Sequence, residues 1–185
     1  MDAPDDLQSR LRQRATEALG RLSPADREAL LVKCWMSHDA RWFMAVAREC
    51  GMAVANRLNR EAARELGRVE APRLARALGL APVTSLDEYL LVQEALIGLF
   101  GPDLLDYRVN TPGGTACRVD VARCFAHENA VRAGIAAEYE CGIFARVAGW
   151  LDGLGLAHEL RPALGRCLKA QGLPCAYTIT LAPRA

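Results

Sequence analysis

Apolar residues recur at four-residue intervals from the start of the chain. Leu7, Leu11, Ala15 and Leu19 stand among Gln, Arg and Glu over residues 5–19, the pattern of an amphipathic helix whose narrow stripe packs on a neighbour or a second subunit. Ser23-Pro24-Ala25-Asp26 predicts a fresh helix start, with Ser as cap and Pro in the first helical position. Apolar positions then continue through Leu31, Trp35, Trp42 and Val46 as far as Gly51. An Ala- and Arg-rich segment predicts a helix from Met52 to Leu66, a shorter one is expected around 73–78 before Gly79, and another spans about Leu86 to Phe100, ended by Gly101-Pro102.

From Asp106 the period changes from helical to alternating. Tyr107 and Val109, then Cys117, Val119 and Val121, alternate with polar residues across Asn110-Thr111-Pro112-Gly113-Gly114, which predicts a β-hairpin. Residues 125–133 form a weaker helix candidate, and Tyr139 to Leu154 a strong one. Alternation returns at Leu156, His158 and Leu160 and again at Cys175, Tyr177, Ile179 and Leu181, predicting two further strands. The expected fold is α+β in one domain over 1–185: a helical N-terminal part, 1–102, and a part, 103–185, with a four-stranded antiparallel sheet packed with helices.

Lys and Arg number 23 against 22 Asp and Glu. Such balance predicts neither a nucleic-acid nor an anionic-membrane partner, and points to a small ligand or another protein. The Arg-rich face of residues 57–76 is interleaved with Glu61, Glu65 and Glu70, as on a solvated helix with local ion pairs. No apolar run reaches membrane-spanning length and the first residues are acidic and polar, so a cytoplasmic location is expected. Gly113-Gly114 lacks a following Lys-Ser/Thr and leads into a strand, so it predicts a turn and no phosphate loop.

Cysteine changes the picture most. Of seven, four fall between Cys124 and Cys175, and the odd total without a signal peptide predicts reduced thiols or thiolate ligands in place of a disulfide framework. Cys167 and Cys175 bracket CLKAQGLPC, where Gly172 and Pro174 turn the backbone enough to bring two sulfurs together. Cys141 stands at the expected start of a helix, where free N–H groups favour a thiolate. Cys124 ends the second hairpin strand and completes a possible set of four; His158, His127 or a carboxylate are the alternatives for the last ligand. Free cysteines are also common as small buried apolar residues, so plain core packing stands beside the metal reading.

A second constellation is His38-Asp39-x-x-Trp42, with Asn56 and Asn59 further on. His38 and Trp42 are one helical turn apart on the apolar face, so imidazole and indole are expected to look into the interior together. His38 is then a candidate general base oriented by Asp39, or else a satisfied core histidine. Trp35, Trp42 and Trp150 fit core positions or the aromatic wall of a small-molecule pocket.

The segments MSHDARWFMAVARECGMAVANRLN, RCFAHENAVRAGIAAEYECGIFARVAGWLDGLGL and CLKAQGLPC resemble an uncharacterised bacterial family that groups with L-2-amino-thiazoline-4-carboxylate hydrolase-like proteins. That resemblance implies a hydrolase of a small polar or heterocyclic substrate, with His38 activating water, Asp39 orienting it, and Trp42, Asn56 and Asn59 about the substrate. The cysteine spacing is also similar to that of 4-vinyl-reductase-type ligand-binding domains, which hold zinc. By that likeness Cys141, Cys167 and Cys175 bind zinc, with iron the alternative metal, in a non-catalytic binding or sensor module. Those domains carry a Glu shortly before the second of these cysteines where this chain has Leu164, which makes Cys124 or a water the candidate fourth ligand. The expected assembly is a homodimer, with its pocket between the N-terminal helices and the sheet.

Overall fold

The computed structural model describes residues 7–182. Its chain divides into two units after Arg41. The first holds α1 (Leu7–Gly20) and the beginning of α2 (Pro24–Cys50). The Ser23 hydroxyl accepts from the Asp26 N–H at 3.1 Å, as expected of a capping serine, and the Arg27 guanidinium donates to the Leu19 carbonyl across the turn. Neither helix has a buried residue, and Leu7, Leu11, Leu19, Leu30 and Leu31 are exposed.

The second unit begins at Trp42 and continues through α3 (Met52–Ala77), α4 (Leu86–Phe100), β1 (Leu105–Gly113), β2 (Ala116–Cys124), α5 (Phe125–Arg132), α6 (Ile143–Gly153), β3 (His158–Arg161) and β4 (Ala176–Leu181). All strand pairings are antiparallel, in the order β1-β2-β4-β3. The fold is α+β, as the change of period at Asp106 predicts. Cys117, Val119 and Val121 of β2 and Tyr177, Ile179 and Leu181 of β4 face the core, where they meet Tyr89, Val92 and Leu96 of α4 and Phe144, Val147 and Leu151 of α6. The Phe144 ring stacks on Tyr177 with centroids 3.9 Å apart. The opposite face keeps Arg118 and Thr180 exposed, the alternation of a sheet covered on one side.

Two expectations about helices change. The predicted break between Leu66 and Arg73 does not occur: α3 runs unbroken with Pro72 inside it. Ala71 and Ala75, wholly buried on either side, hold that turn by packing although Pro72 has no N–H to donate. The helix expected from Tyr139 starts only at Ile143, because the preceding residues pair with another segment. The backbone of Glu140 bridges Arg166, the Cys141 N–H donates to the Gly165 carbonyl (2.9 Å), and the Cys167 N–H donates to the Tyr139 carbonyl (2.9 Å).

Helices α3 and α6 pack backbone to backbone. A Cβ on Gly67 would collide with the Arg146 carbonyl, one on Gly149 with the Arg64 carbonyl, and one on Gly153 with the Arg68 carbonyl. Beside this seam Glu70 accepts from the Arg146 guanidinium and from the Trp150 indole N–H, and the guanidinium lies 4.2 Å from the centre of the Phe100 ring. Close approach and a mostly buried ion pair thus fix α6, and with it the segment carrying Cys141, against α3.

Candidate functional site: a thiol-lined cavity

Three chain segments bring Cys124, Cys141, Cys167 and Cys175 around one cavity of about 20 Å³, room for a single water-sized or ion-sized occupant. His127, Tyr139, Tyr177, Phe144 and Lys169 share its lining. Each segment positions its cysteines by a different local device.

Cys124 depends on an irregularity. Val121 pairs with Tyr107 and Arg123 with Asp106, so Ala122 has no partner across the ladder. An extra residue reverses the in-out alternation. Cys124 therefore lies on the core side with Val121, where regular alternation would have turned it toward the Arg118 face. The Ala122 carbonyl accepts from the Lys169 ammonium at 2.6 Å, which pins the irregularity to the Cys167–Cys175 turn. Cys124 stands at the N-cap position of α5, where the N–H groups of Ala126 and His127 favour its charged form.

Cys141 is held by two asparagines on α3. Asn56, 3 % exposed, donates from Nδ2 to the Glu138 carbonyl (2.7 Å) and accepts from the Glu140 N–H at Oδ1 (3.0 Å). The Asn59 amide faces the Tyr139 hydroxyl and Gly142, where a Cβ would stand 2.7 Å from its Nδ2. Arg60 pairs with Glu140 at 2.9 Å. Cys167 and Cys175 flank a 3-10 turn at Lys169–Gln171, closed by Gly172 at φ 71°, as the turn residues predict. The Val121 N–H donates to the Cys175 carbonyl at 2.8 Å, fastening the far end of the turn to β2.

The thiols lie within electrostatic reach of one another in every pairing. His127 Nδ1 is 3.7 Å from Cys167 Sγ. Burial pushes the Cys141 thiol up to about 12, against the opposing pull of the Phe144 N–H, and the other sulfurs raise it further. Burial pushes Cys175 up to about 11, with Cys124 and Cys167 adding to it and the Lys169 charge opposing. Cys124 is raised by the same cause. The expectation that the helix start would favour a thiolate at Cys141 is thus corrected: one N–H is outweighed by removal from water. These are thiols kept neutral by their surroundings, the reverse of an activated nucleophile. Among the described residues, no three or more His, Cys, Asp or Glu side chains already stand as a ligand set for a metal ion.

The other candidates lie elsewhere. His38 and Asp39 belong to α2 in the first unit and are exposed, and Trp42 is 62 % exposed. An interior-facing imidazole and indole are therefore not found; periodicity puts the two on one face without deciding whether that face is covered. Asn56 and Asn59, expected about a substrate, are engaged with the 138–142 segment. His158, one alternative fourth ligand, is not part of the cavity lining: its Nδ1 lies 3.0 Å from the Leu156 carbonyl and 4.0 Å from Asp152. His127 is on the lining and shares the spacing Cys124-x-x-His127 with the nearest thiol. The alternation puts Tyr177 on the side of Cys175, whereas nothing in the sequence singles out Lys169.

Fold and site together define a class: an α+β protein with a buried four-thiol cavity at the junction of sheet, α5 and α6. The pattern of a family of unknown function (DUF6125) matches residues 25–99, over α2, α3 and α4 and short of every cavity cysteine. No curated protein and no solved structure matches the chain. No described helix is long and apolar enough to cross a membrane.

Proposed function

We propose that this chain is a thiolate metal protein in which Cys124, Cys141, Cys167 and Cys175 hold one zinc ion as a closed, structural site, within a non-catalytic module that binds a small molecule or a partner. The observation that carries the reading is the convergence of four thiols, from three chain segments, on a cavity with room for one ion-sized occupant. Soft sulfur donors with an imidazole beside them suit zinc, with iron the alternative. A zinc ion bound there neutralises thiolate charge and cross-links the segments that end β2, precede α6 and form the 167–175 turn. The chain's own part is to rotate the sulfurs inward, give up their protons and shield the result. Lys169 offsets negative charge at Cys124 and Cys175, and His127 stands beside Cys167.

A structural site is favoured over a hydrolytic one because His38 and Asp39, the expected base and its orienting group, are exposed on α2 and are not among the cavity-lining residues. The exposed leucines of α1 and α2 are consistent with a homodimer built through the first unit. Elemental analysis of protein purified without added metal tests the reading: about one zinc per chain is expected, lost in Cys141→Ser, Cys167→Ser and Cys175→Ser. Metal-free reduced protein that takes up no zinc on titration contradicts it.

A further inference from the structure

One polar group on the cavity is left over from this assignment. Tyr177 is 1 % exposed, its ring is fixed against Phe144, and its hydroxyl is buried with no hydrogen-bond partner. An unpaired buried hydroxyl is a standing cost in a packed core. The other tyrosine on the lining differs, since the Tyr139 hydroxyl is engaged by the Asn59 amide and the Gly142 N–H. Tyr177 lines the cavity together with the four cysteines and stands two residues from Cys175, which immediately precedes β4. A neutral thiol is a weak acceptor, whereas a metal-bound thiolate is a charged one.

Resting on the metal reading above, we infer that Tyr177 is a positioning residue that donates an O–H···S hydrogen bond to one of the metal-bound cysteine thiolates of the cavity. The hydroxyl gains its partner only when the thiol has given its proton to solvent and its electron pair to the ion. No covalent bond to Tyr177 forms or breaks. Such outer partners fix ligand orientation and tune how much charge the sulfur passes to the metal. A residue used only for packing would affect the metal-free and metal-bound forms alike; this one affects them in opposite directions.

The test compares full-length wild type with Tyr177→Phe. Zinc affinity is measured by competition with a chromophoric chelator, and cobalt-loaded samples report the sulfur-to-cobalt charge-transfer band. Tyr177→Phe is expected to keep the wild-type stoichiometry and to bind zinc about 10- to 100-fold more weakly. Its cobalt band should move to lower energy, because the sulfur lone pair has lost a stabilising proton donor. Metal-depleted Tyr177→Phe should melt at or above wild type. Equal affinity with an unmoved band, in samples where wild type binds metal normally, overturns the inference and leaves the metal reading in place. So does a Tyr177→Phe protein that melts well below wild type when metal-depleted, which marks a packing role. Wild type that takes up neither zinc nor cobalt overturns the metal reading itself.

Discussion

Replacing Gly149 by alanine sets two effects of known sign against each other. Alanine in a helix interior stabilises by about 0.5–1 kcal/mol relative to glycine, through the backbone freedom it removes from the unfolded chain. At Gly149, however, the added carbon meets the Arg64 carbonyl in the facing helix, with the Arg64 Cα only 3.0 Å away. Those atoms are backbone, so relief requires α3 and α6 to separate along a seam that Gly67 and Gly153 also keep close. Overpacking of a rigid contact costs about 1–3 kcal/mol, and a backbone obstacle belongs at the upper end of that range. The net expectation for Gly149→Ala is a loss of about 1–2 kcal/mol, a fall in melting temperature of roughly 3–8 °C for a protein of this size. Gly98 supplies the control: it is an exposed glycine inside α4 with nothing near the position of a Cβ. Gly98→Ala should raise the melting temperature by about 2–4 °C. Thermal denaturation followed by near-ultraviolet circular dichroism reads both variants against wild type. A Gly149→Ala protein as stable as Gly98→Ala would refute the close helix contact on which the placement of Cys141 depends.

Three further outcomes follow from the site. Asn56→Ala leaves the Glu138 carbonyl and the Glu140 N–H without their partner and should lose about 2–4 kcal/mol in chemical denaturation; a change within about 0.5 kcal/mol would show that the amide does not hold this segment. Zinc binding should displace the protons of Cys124, Cys141 and Cys175, seen as calorimetric heats that vary with the ionisation enthalpy of the buffer, and affinity should rise with pH toward the values of about 11 and about 12 at Cys175 and Cys141. In metal-depleted protein the sign reverses. Thiols whose folded values lie above the ordinary 9.0 contribute stability that is complete below the unfolded value and is lost as pH rises through the folded ones. Heats independent of buffer would contradict neutral thiols in the free protein. Lys169→Met removes the charge beside Cys124 and Cys175 and the bond to the Ala122 carbonyl, and should weaken zinc binding on the order of 5-fold, less at high salt; unchanged affinity would remove Lys169 from the site.

Much of the fold is legible in the chain because its signals are local. The change from helical to alternating period at Asp106, the Ser23 cap and the Gly172 turn each follow from residues close in sequence. What escapes is set by tertiary context. The gap expected between Leu66 and Arg73 is bridged because Ala71 and Ala75 pack on either side of Pro72. Cys124 is aimed inward only by the unpaired Ala122, which no alternation pattern reveals. Asn56 and Asn59 have the residue types of a substrate clamp, yet their partners lie eighty or more residues away on the 138–142 segment. The thiol values invert for a related reason. A helix start can be read from sequence, whereas the burial that outweighs it cannot.

The proposed site has four sulfurs from three segments closing on one ion. X-ray absorption at the zinc edge of the purified full-length protein measures this most directly. The account predicts a first shell of four sulfurs at about 2.3 Å, falling to three sulfurs and one lighter atom in Cys124→Ser. A wild-type shell dominated by nitrogen or oxygen at about 2.0–2.1 Å would contradict it.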